Sequence, residues 1–288
     1  MRVKRAEKYG FCAGVRIADQ KVKKFAQLGG TGGRILGQVV HNERVVEEME
    51  DLGVPTVQSL EETDGGTIVF SAHGVPPSFH ETARRQGLKV LDTTCPFVYD
   101  IHEEADRAVG EGAHLLFIGE SNHREVIGYT KDRDPATYHV LKTVAEAEKI
   151  DWSRYPAVKV LYQTTLNSED FEDVVRYIES QSAGVSRADT ICYATKENQD
   201  AARDLCGDPE IDLILIIGGK QSANTRHLWE ICREQKPSYL IQGPADLEPQ
   251  WFAAATTVGV TAGASTPDYV IDEVEMAVLQ DTLVESGS

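Results

Sequence analysis

The stretch Leu91–His102, LDTTCPFVYDIH, is the starting point for interpreting the whole chain. An apolar run ends at Leu91, a polar turn follows, and Cys95 stands directly before Pro96. Apolar residues then recur at helical spacing through Ala105, and proline is tolerated in the first turn of a helix. Cys95 is therefore predicted to lie between a strand and a helix, where free N–H groups stabilise a thiolate.

Two other stretches have the same form. Tyr9–Val15, YGFCAGV, places Cys12 before a helical pattern, and Asp189–Thr195, DTICYAT, does the same for Cys192. Similar lengths of chain separate the three cysteines. We therefore expect three similar units, each of which contributes one cysteine to a common centre.

The composition excludes several classes of protein. The chain has 288 residues, 41% of them hydrophobic, and no apolar run near the roughly 20 residues of a membrane span. Its N-terminus has no apolar signal segment, and an odd count of five cysteines suits a reducing cytoplasm. A net charge of −17 argues against nucleic acid and against an anionic membrane surface as partners.

Strand and helix patterns alternate along nearly the whole chain, which predicts an α/β class with mainly parallel sheets. The predicted strands are Arg34–Val40, Thr67–Phe70, Lys89–Leu91, His114–Ile118, Val158–Leu161, Asp212–Ile217, Tyr239–Ile241 and Thr256–Val260. We expect three α/β units around a pseudo-threefold axis. Their predicted limits are residues 15–95, 96–190 and 191–280, with residues 1–14 adding a strand to the last unit.

Hydrogen-bonding side chains follow most of these strands, at the carboxyl ends where doubly wound sheets bind their ligands. They are His41, His73, His123, Glu125, Thr164, Ser222, Asn224 and Ser265. Few are charged, so the set suits a phosphorylated ligand. His123 and Glu125 are two residues apart in a predicted loop, so one could bind the ligand while the other delivers a proton.

Three converging thiolates allow more than one interpretation. A [4Fe–4S] cluster held by three cysteines would leave one iron open to substrate. Zinc is the second candidate, although zinc sites usually have two ligands close in sequence. The third is three buried thiols without a metal. Cys206 and Cys232 lie in helical patterns and are expected to be packing residues.

Nine motifs in order resemble those of the 4-hydroxy-3-methylbut-2-enyl diphosphate reductase family. They are GFCAGV, VVHN, SAHGV, DTTCP, HREV, QTTL, ICYAT, SANT and GVTAGAS, from about Cys12 to Pro267. The resemblance implies the three-unit fold around a central [4Fe–4S] cluster on Cys12, Cys95 and Cys192. It also implies loss of the C4 hydroxyl of the substrate, bound at the apical iron, with two electrons and protons.

The resemblance also assigns the other site residues. Glu125 matches the carboxylate that delivers the proton, and Thr164 matches the threonine near the substrate hydroxyl. The residues that match substrate ligands are His41, His73, His123, Ser222, Asn224 and Ser265. Electrons would come from a ferredoxin or flavodoxin, because no nicotinamide-binding G-x-G-x-x-G follows a strand.

Two departures from the family pattern stand out. The family usually reads G-H-x-x-H-P-E-V, whereas this chain reads GESNHREV, with Arg124 in the position of the proline. The family also usually has Ser-Ser-Asn where this chain has Ala223 between Ser222 and Asn224. Two other functions keep the cluster: a hydro-lyase acting on a phosphorylated substrate, and a cluster-based redox sensor.

Overall fold

The computed structural model describes residues 1–30, 32–63 and 65–285, with side chains up to residue 280. Within these residues the strands are β1 Arg2–Arg5, β2 Gly33–Leu36, β3 Thr56–Val57, β4 Thr67–Phe70, β5 Lys89–Asp92, β6 His114–Ile118, β7 Tyr138–Leu141, β8 Val158–Tyr162, β9 Val185–Arg187, β10 Leu213–Ile217, β11 Ser238–Ile241 and β12 Thr257–Ala262. The α-helices are α1 Ala13–Gln27, α2 Glu43–Asp51, α3 Pro77–Arg85, α4 Pro96–Gly110, α5 Arg124–Thr130, α6 Val144–Ala147, α7 Glu172–Gln181, α8 Tyr193–Gly207, α9 Ala223–Arg233 and α10 Asp268–Glu285.

The strands form three four-stranded parallel sheets with one shared strand order. The orders are β3-β2-β4-β5, β7-β6-β8-β9 and β11-β10-β12-β1. In each sheet the first strand of the unit lies between its second and third strands. The third sheet takes its fourth strand, β1, from the N-terminus. The predicted α/β class with three similar parallel units is confirmed.

The central strands read as continuous apolar runs because both faces of each sheet are covered. In β6, Leu115 and Phe117 pack with apolar residues of α4, whereas the alternate residues Leu116 and Ile118 pack with residues of α7. All five residues of β6 and all five of β10 are buried. These buried strands fix where the loops at their carboxyl ends begin.

Contacts divide the chain into two compact units. The first contains the described residues of Met1–Arg16, Val40–Leu52 and Tyr193–Ser288, including the third sheet. The second contains the described residues of Ile17–Val39 and Gly53–Cys192, including the other two sheets. The limits that the sequence predicted for three units stay a prediction.

Some predicted elements were wrong in detail. The strand predicted over Arg34–Val40 ends at Leu36, because Gly37 turns the backbone to a φ of +68°. The loop predicted to hold His123 and Glu125 is the start of helix α5. The sequence pattern also missed β3, β7 and β9, which are short.

No helix in the described residues is both long enough and apolar enough to span a lipid bilayer.

Candidate active site

Cys12, Cys95 and Cys192 occupy the same position in the three sheets. Each follows the fourth strand of its sheet and directly precedes a helix of 15 residues, α1, α4 or α8. The three settings match although β1, the strand before Cys12, is far in sequence from the other strands of its sheet. The same arrangement of strand, cysteine and helix therefore occurs three times.

One backbone hydrogen bond recurs at all three cysteines. The cysteine N–H donates to a carbonyl oxygen two residues beyond the end of the third strand of the same sheet. The bonds join Cys12 to Ala264 (3.2 Å), Cys95 to Ala72 (3.1 Å) and Cys192 to Thr164 (3.1 Å). Each bond holds a cysteine against the loop that carries one of the predicted ligand-binding residues.

The three cysteine side chains suit thiolates. All three are half-buried, and none of the five cysteines, which all lie in the described part of the chain, forms a disulfide. The Val15 N–H, in the first turn of α1, donates to the Cys12 sulfur at 3.4 Å. Within residues 1–30, 32–63 and 65–285, no group of three His, Cys, Asp or Glu side chains is placed to hold a single metal ion.

The two remaining cysteines are packing residues, as the pattern indicated. Cys206 and Cys232 are buried in helices α8 and α9, and they belong to the same apolar cluster as Leu205 and Leu228. Helix α8 continues one residue beyond Cys206, to Gly207. Both side chains therefore contribute to the apolar core between these helices.

Glu125 is a buried carboxyl of the second unit. Its carboxyl lies in the first turn of α5 with only 1% of the residue exposed. The backbone N–H of Thr164 donates to one carboxyl oxygen at 2.8 Å, and the Thr164 hydroxyl donates to the other at 2.6 Å. Burial raises the pKa of Glu125 to about 7, against the lowering effect of these hydrogen bonds. The group can therefore hold a proton near neutral pH and release it.

Glu120, the competing carboxylate, has a different environment. Its carboxylate forms an ion pair with Lys142 at 3.2 Å, and about a third of its side chain is exposed, 35%. Lys142 therefore compensates the charge of Glu120, which is not buried as Glu125 is. This geometry favours Glu125 over Glu120 as a proton donor.

Two of the predicted histidines meet in the second unit. The rings of His73, in the loop after β4, and His123, at the N-cap of α5, lie 5.9 Å apart and nearly perpendicular. Through Glu125 the same helix end is bonded to Thr164, whose carbonyl holds Cys192. The second unit thus joins four predicted site residues and one of its two site cysteines through contacts and bonds.

The first unit joins the other predicted ligand residues. The Ser265 hydroxyl donates to the His41 carbonyl at 3.1 Å, and Ser222 caps α9 by accepting the Thr225 N–H at 3.3 Å. Asn224 is 3% exposed, and neither its amide nitrogen nor its oxygen has a hydrogen-bond partner in the described residues. Because buried polar groups are normally satisfied, Asn224 is suited to a bound ligand.

The family model described as LytB protein matches residues 3–279. The chain belongs to the LytB family. The resemblance predicted from the nine motifs is thereby confirmed. In this LytB chain, the predicted site residues that follow the strands form two groups, one in each compact unit.

Two curated relatives of this chain have the same name, 4-hydroxy-3-methylbut-2-enyl diphosphate reductase. The 4-hydroxy-3-methylbut-2-enyl diphosphate reductase of Aquifex aeolicus (strain VF5) is 37% identical over 281 residues, which are 95% of this chain and 94% of that protein. The enzyme of the same name from Anaeromyxobacter sp. (strain Fw109-5) is 39% identical over 277 residues, 95% of each chain.

Two solved structures share the fold. One, an (E)-4-hydroxy-3-methyl-but-2-enyl diphosphate reductase described as the terminal enzyme of the non-mevalonate pathway, has a TM-score of 0.72 at 35% identity and covers 97% of this chain and 100% of its own. The E-1-hydroxy-2-methyl-but-2-enyl-4-diphosphate reductase from Plasmodium falciparum has a TM-score of 0.88 at 26% identity, with 96% of this chain and 87% of that chain covered.

Sequence reasoning missed one neighbour of the candidate proton donor in this LytB chain. Tyr129 is one helical turn beyond Glu125 and is 2% exposed. Burial, followed by the negative charge of Glu125, raises the pKa of Tyr129 well above its ordinary value. Its position four residues after Glu125 would have indicated this contact only if the helix itself had been predicted.

Proposed function

We propose that this LytB protein reduces 4-hydroxy-3-methylbut-2-enyl diphosphate to isopentenyl and dimethylallyl diphosphate, in the non-mevalonate isoprenoid pathway. The observation that carries the proposal is the buried Glu125, which Thr164 holds through both carboxyl oxygens and whose pKa burial raises to about 7. It occurs in a chain that matches curated reductases along 95% of its length. The protein is accordingly an oxidoreductase.

A [4Fe–4S] cluster is the proposed cofactor, on Cys12, Cys95 and Cys192. The donor set fits it: three cysteines outside any disulfide, each before a long helix and each half-buried. Thiolates are the usual protein ligands of such clusters, and helix N-termini stabilise them. When bound, the cluster supplies electrons one at a time and an open iron for the substrate hydroxyl.

The diphosphate is proposed to bind His41, His73, His123, Ser222, Asn224 and Ser265. Asn224 supports the assignment because its buried amide has no hydrogen-bond partner among the described residues. Ser222 supports it because it caps α9, an 11-residue helix whose first N–H groups favour anions. The set itself contains no carboxylate.

Glu125 is proposed to supply the proton that leaves with the hydroxyl. In the overall reaction the C–O bond breaks, a C–H bond forms, and two electrons and two protons yield the product and one water. Hydroxide is a poor leaving group, so a proton must be held next to the departing oxygen. Thr164 orients the Glu125 carboxyl through both of its oxygens, and His123 begins the same helix.

The electrons are proposed to come from a ferredoxin or flavodoxin, since these proteins deliver one electron at a time. A reducing cytoplasm is the proposed location, which five cysteines without a disulfide support.

The decisive experiment is anaerobic turnover of the allylic diphosphate with a chemical one-electron reductant, beside iron and sulfide analysis of the same sample. We expect iron and sulfide in equal amounts, and product only when reductant is present. Product without reductant would replace the reductase with a hydro-lyase. A bound cluster without any turnover of the allylic diphosphate would favour a redox sensor, and zinc or no metal would end the cluster proposal.

A further inference from the structure

Arg124 is a half-buried cation for which the described residues provide no hydrogen-bond or ion-pair partner. It is the first residue of α5, between His123 and Glu125. Its guanidinium makes no hydrogen bond or ion pair with the described residues, and burial alone lowers the pKa of Arg124. Other arginines of this chain, such as Arg133 and Arg187, form ion pairs with carboxylates at 2.7 Å. Arg124 therefore stands out as a cation that the fold leaves uncompensated.

The Arg124 guanidinium lies against the backbone at Gly37. The Arg124 side chain extends from the first residue of α5 to Gly37, which comes directly after the end of β2. A Cβ atom on Gly37 would lie 1.8 Å from the nearest guanidinium nitrogen, so only glycine allows the contact. Gly37 thus lies at the carboxyl end of a parallel strand, β2, and ligands of parallel sheets bind at such strand ends.

One histidine of the proposed substrate site, His123, is the N-cap of the same helix, α5, and a second, His73, follows the end of β4. His123 precedes Arg124 in sequence, and the ring of His73 lies 5.9 Å from the ring of His123. Burial is the cause of the lowered pKa of Arg124, and no carboxylate of the described residues forms an ion pair with its guanidinium. Partial removal of a cation from water is unfavourable unless an anion compensates it. A guanidinium fork can bind two phosphate oxygens at once.

We propose that Arg124 binds the diphosphate group of the substrate and sets the affinity of this chain for it. The inference rests on the proposed function and adds a ligand that the resemblance does not assign. It also assigns a role to a residue at which this chain departs from the pattern of its family.

The test compares variants at Arg124 in the anaerobically purified, cluster-containing protein. R124P is the most informative, because proline is tolerated at the first position of a helix and His123 already has the extended ψ of 137° that proline requires before it. R124Q keeps the size of the side chain without its charge. R176Q removes the same charge from an exposed arginine of α7 and is the control.

Binding of inorganic diphosphate is measured by calorimetry, and KM and kcat are measured with the allylic diphosphate. R124P and R124Q should weaken diphosphate binding and raise KM by roughly 10- to 100-fold, with little change in kcat. R124K should lie between them and the unchanged protein, because lysine supplies a point charge without the fork. R176Q should bind as the unchanged protein does.

Two results would overturn the inference. The first is that R124P and R124Q bind inorganic diphosphate as tightly as R176Q does and have the same KM. The other is an equal loss of thermal stability and affinity in both variants, which would show a structural role. Failure of the proposed function is distinguishable, because the unchanged protein would then fail to reduce the allylic diphosphate whatever the variants bind.

Discussion

Thr164 holds both carboxyl oxygens of Glu125, although the two residues are 39 positions apart in the chain. Its backbone N–H bonds to one oxygen and its hydroxyl to the other, at 2.8 and 2.6 Å. The carbonyl of the same threonine accepts the N–H of Cys192 at 3.1 Å. Thr164 thus positions both the candidate proton donor, Glu125, and a candidate cluster ligand, Cys192.

Replacing Glu125 with glutamine should abolish most turnover without loss of the cofactor. Glutamine preserves the size of the side chain but cannot donate an acidic proton. We expect kcat to fall by about 10²–10⁴-fold, the usual contribution of a general acid, with iron content and substrate binding retained. E120Q is the control, because Glu120 is solvated and paired with Lys142. Near-normal turnover by E125Q, or an inactive E120Q, would show that the proton path is wrong.

Thr164 should control the pH range of the reaction. Its hydrogen bonds lower the pKa of Glu125, which burial raises to about 7. T164V removes the hydroxyl and keeps the backbone N–H, so the pKa of Glu125 should rise further. Because the protonated acid is the active form, the fall of kcat at alkaline pH should move to higher pH. T164S should keep the normal profile, and an unshifted profile in T164V would contradict the assignment.

Glu125 should also make the folded protein less stable as the pH rises. Its pKa in the folded chain is about 7, above the ordinary 4.5. The folded state therefore holds the proton more tightly than the unfolded state, so its contribution to stability is complete below pH 4.5 and is lost as the pH rises through about 7. The loss should be on the order of 3 kcal/mol.

Chemical denaturation across this pH window, in the wild type and in E125Q, measures that loss. The free energy of unfolding of the variant should vary less with pH than that of the wild type. Parallel pH profiles for the two proteins would mean that Glu125 is already ionised in the folded state.

The five cysteines should separate into two classes on substitution. C12S, C95S and C192S should each lose iron and sulfide, because each removes one thiolate of the proposed cluster. C206A and C232A remove buried packing residues of α8 and α9 and should retain the cofactor. Iron and sulfide analysis with the visible absorption spectrum makes the comparison. Loss of iron from C206A, or full iron in C95S, would require a different ligand set.

Ala223→Ser should strengthen substrate binding. Ala223 is the first residue of α9, next to Ser222 and to the unpartnered amide of Asn224. A hydroxyl there would add one hydrogen bond to a charged group, which contributes roughly 1.5–3 kcal/mol. KM for the allylic diphosphate should therefore fall with kcat unchanged, whereas an unchanged or higher KM would show that the hydroxyl does not reach the phosphates.

Local pattern was enough to predict the three cysteine settings. A strand, a cysteine and a helical repeat follow one another within a few residues, so no distant contact is needed to recognise them. The shared parallel class was also predictable, because strands such as β6 and β10 are apolar throughout. The extra strand from the N-terminus was predicted and is β1.

Features that depend on distant contacts were not predictable. Helix α5 has seven residues, too few for a clear apolar repeat, so the segment around His123 resembled a loop. The strands β3, β7 and β9 have few buried residues and little apolar signal. The pairing of Glu125 with Thr164, and of Arg124 with Gly37, depends on neighbours brought together by the fold.

The pairing of β1 with β12 has a consequence for synthesis of the chain. Residues 2–5 are synthesised about 250 residues before their partner strand, Thr257–Ala262. At typical translation rates β1 therefore waits on the order of ten seconds to a minute without a partner. An unpaired strand invites association with other nascent chains, and basic side chains oppose it. Three of the four residues of β1, RVKR, are basic, so the strand that must wait longest is also the one protected by charge.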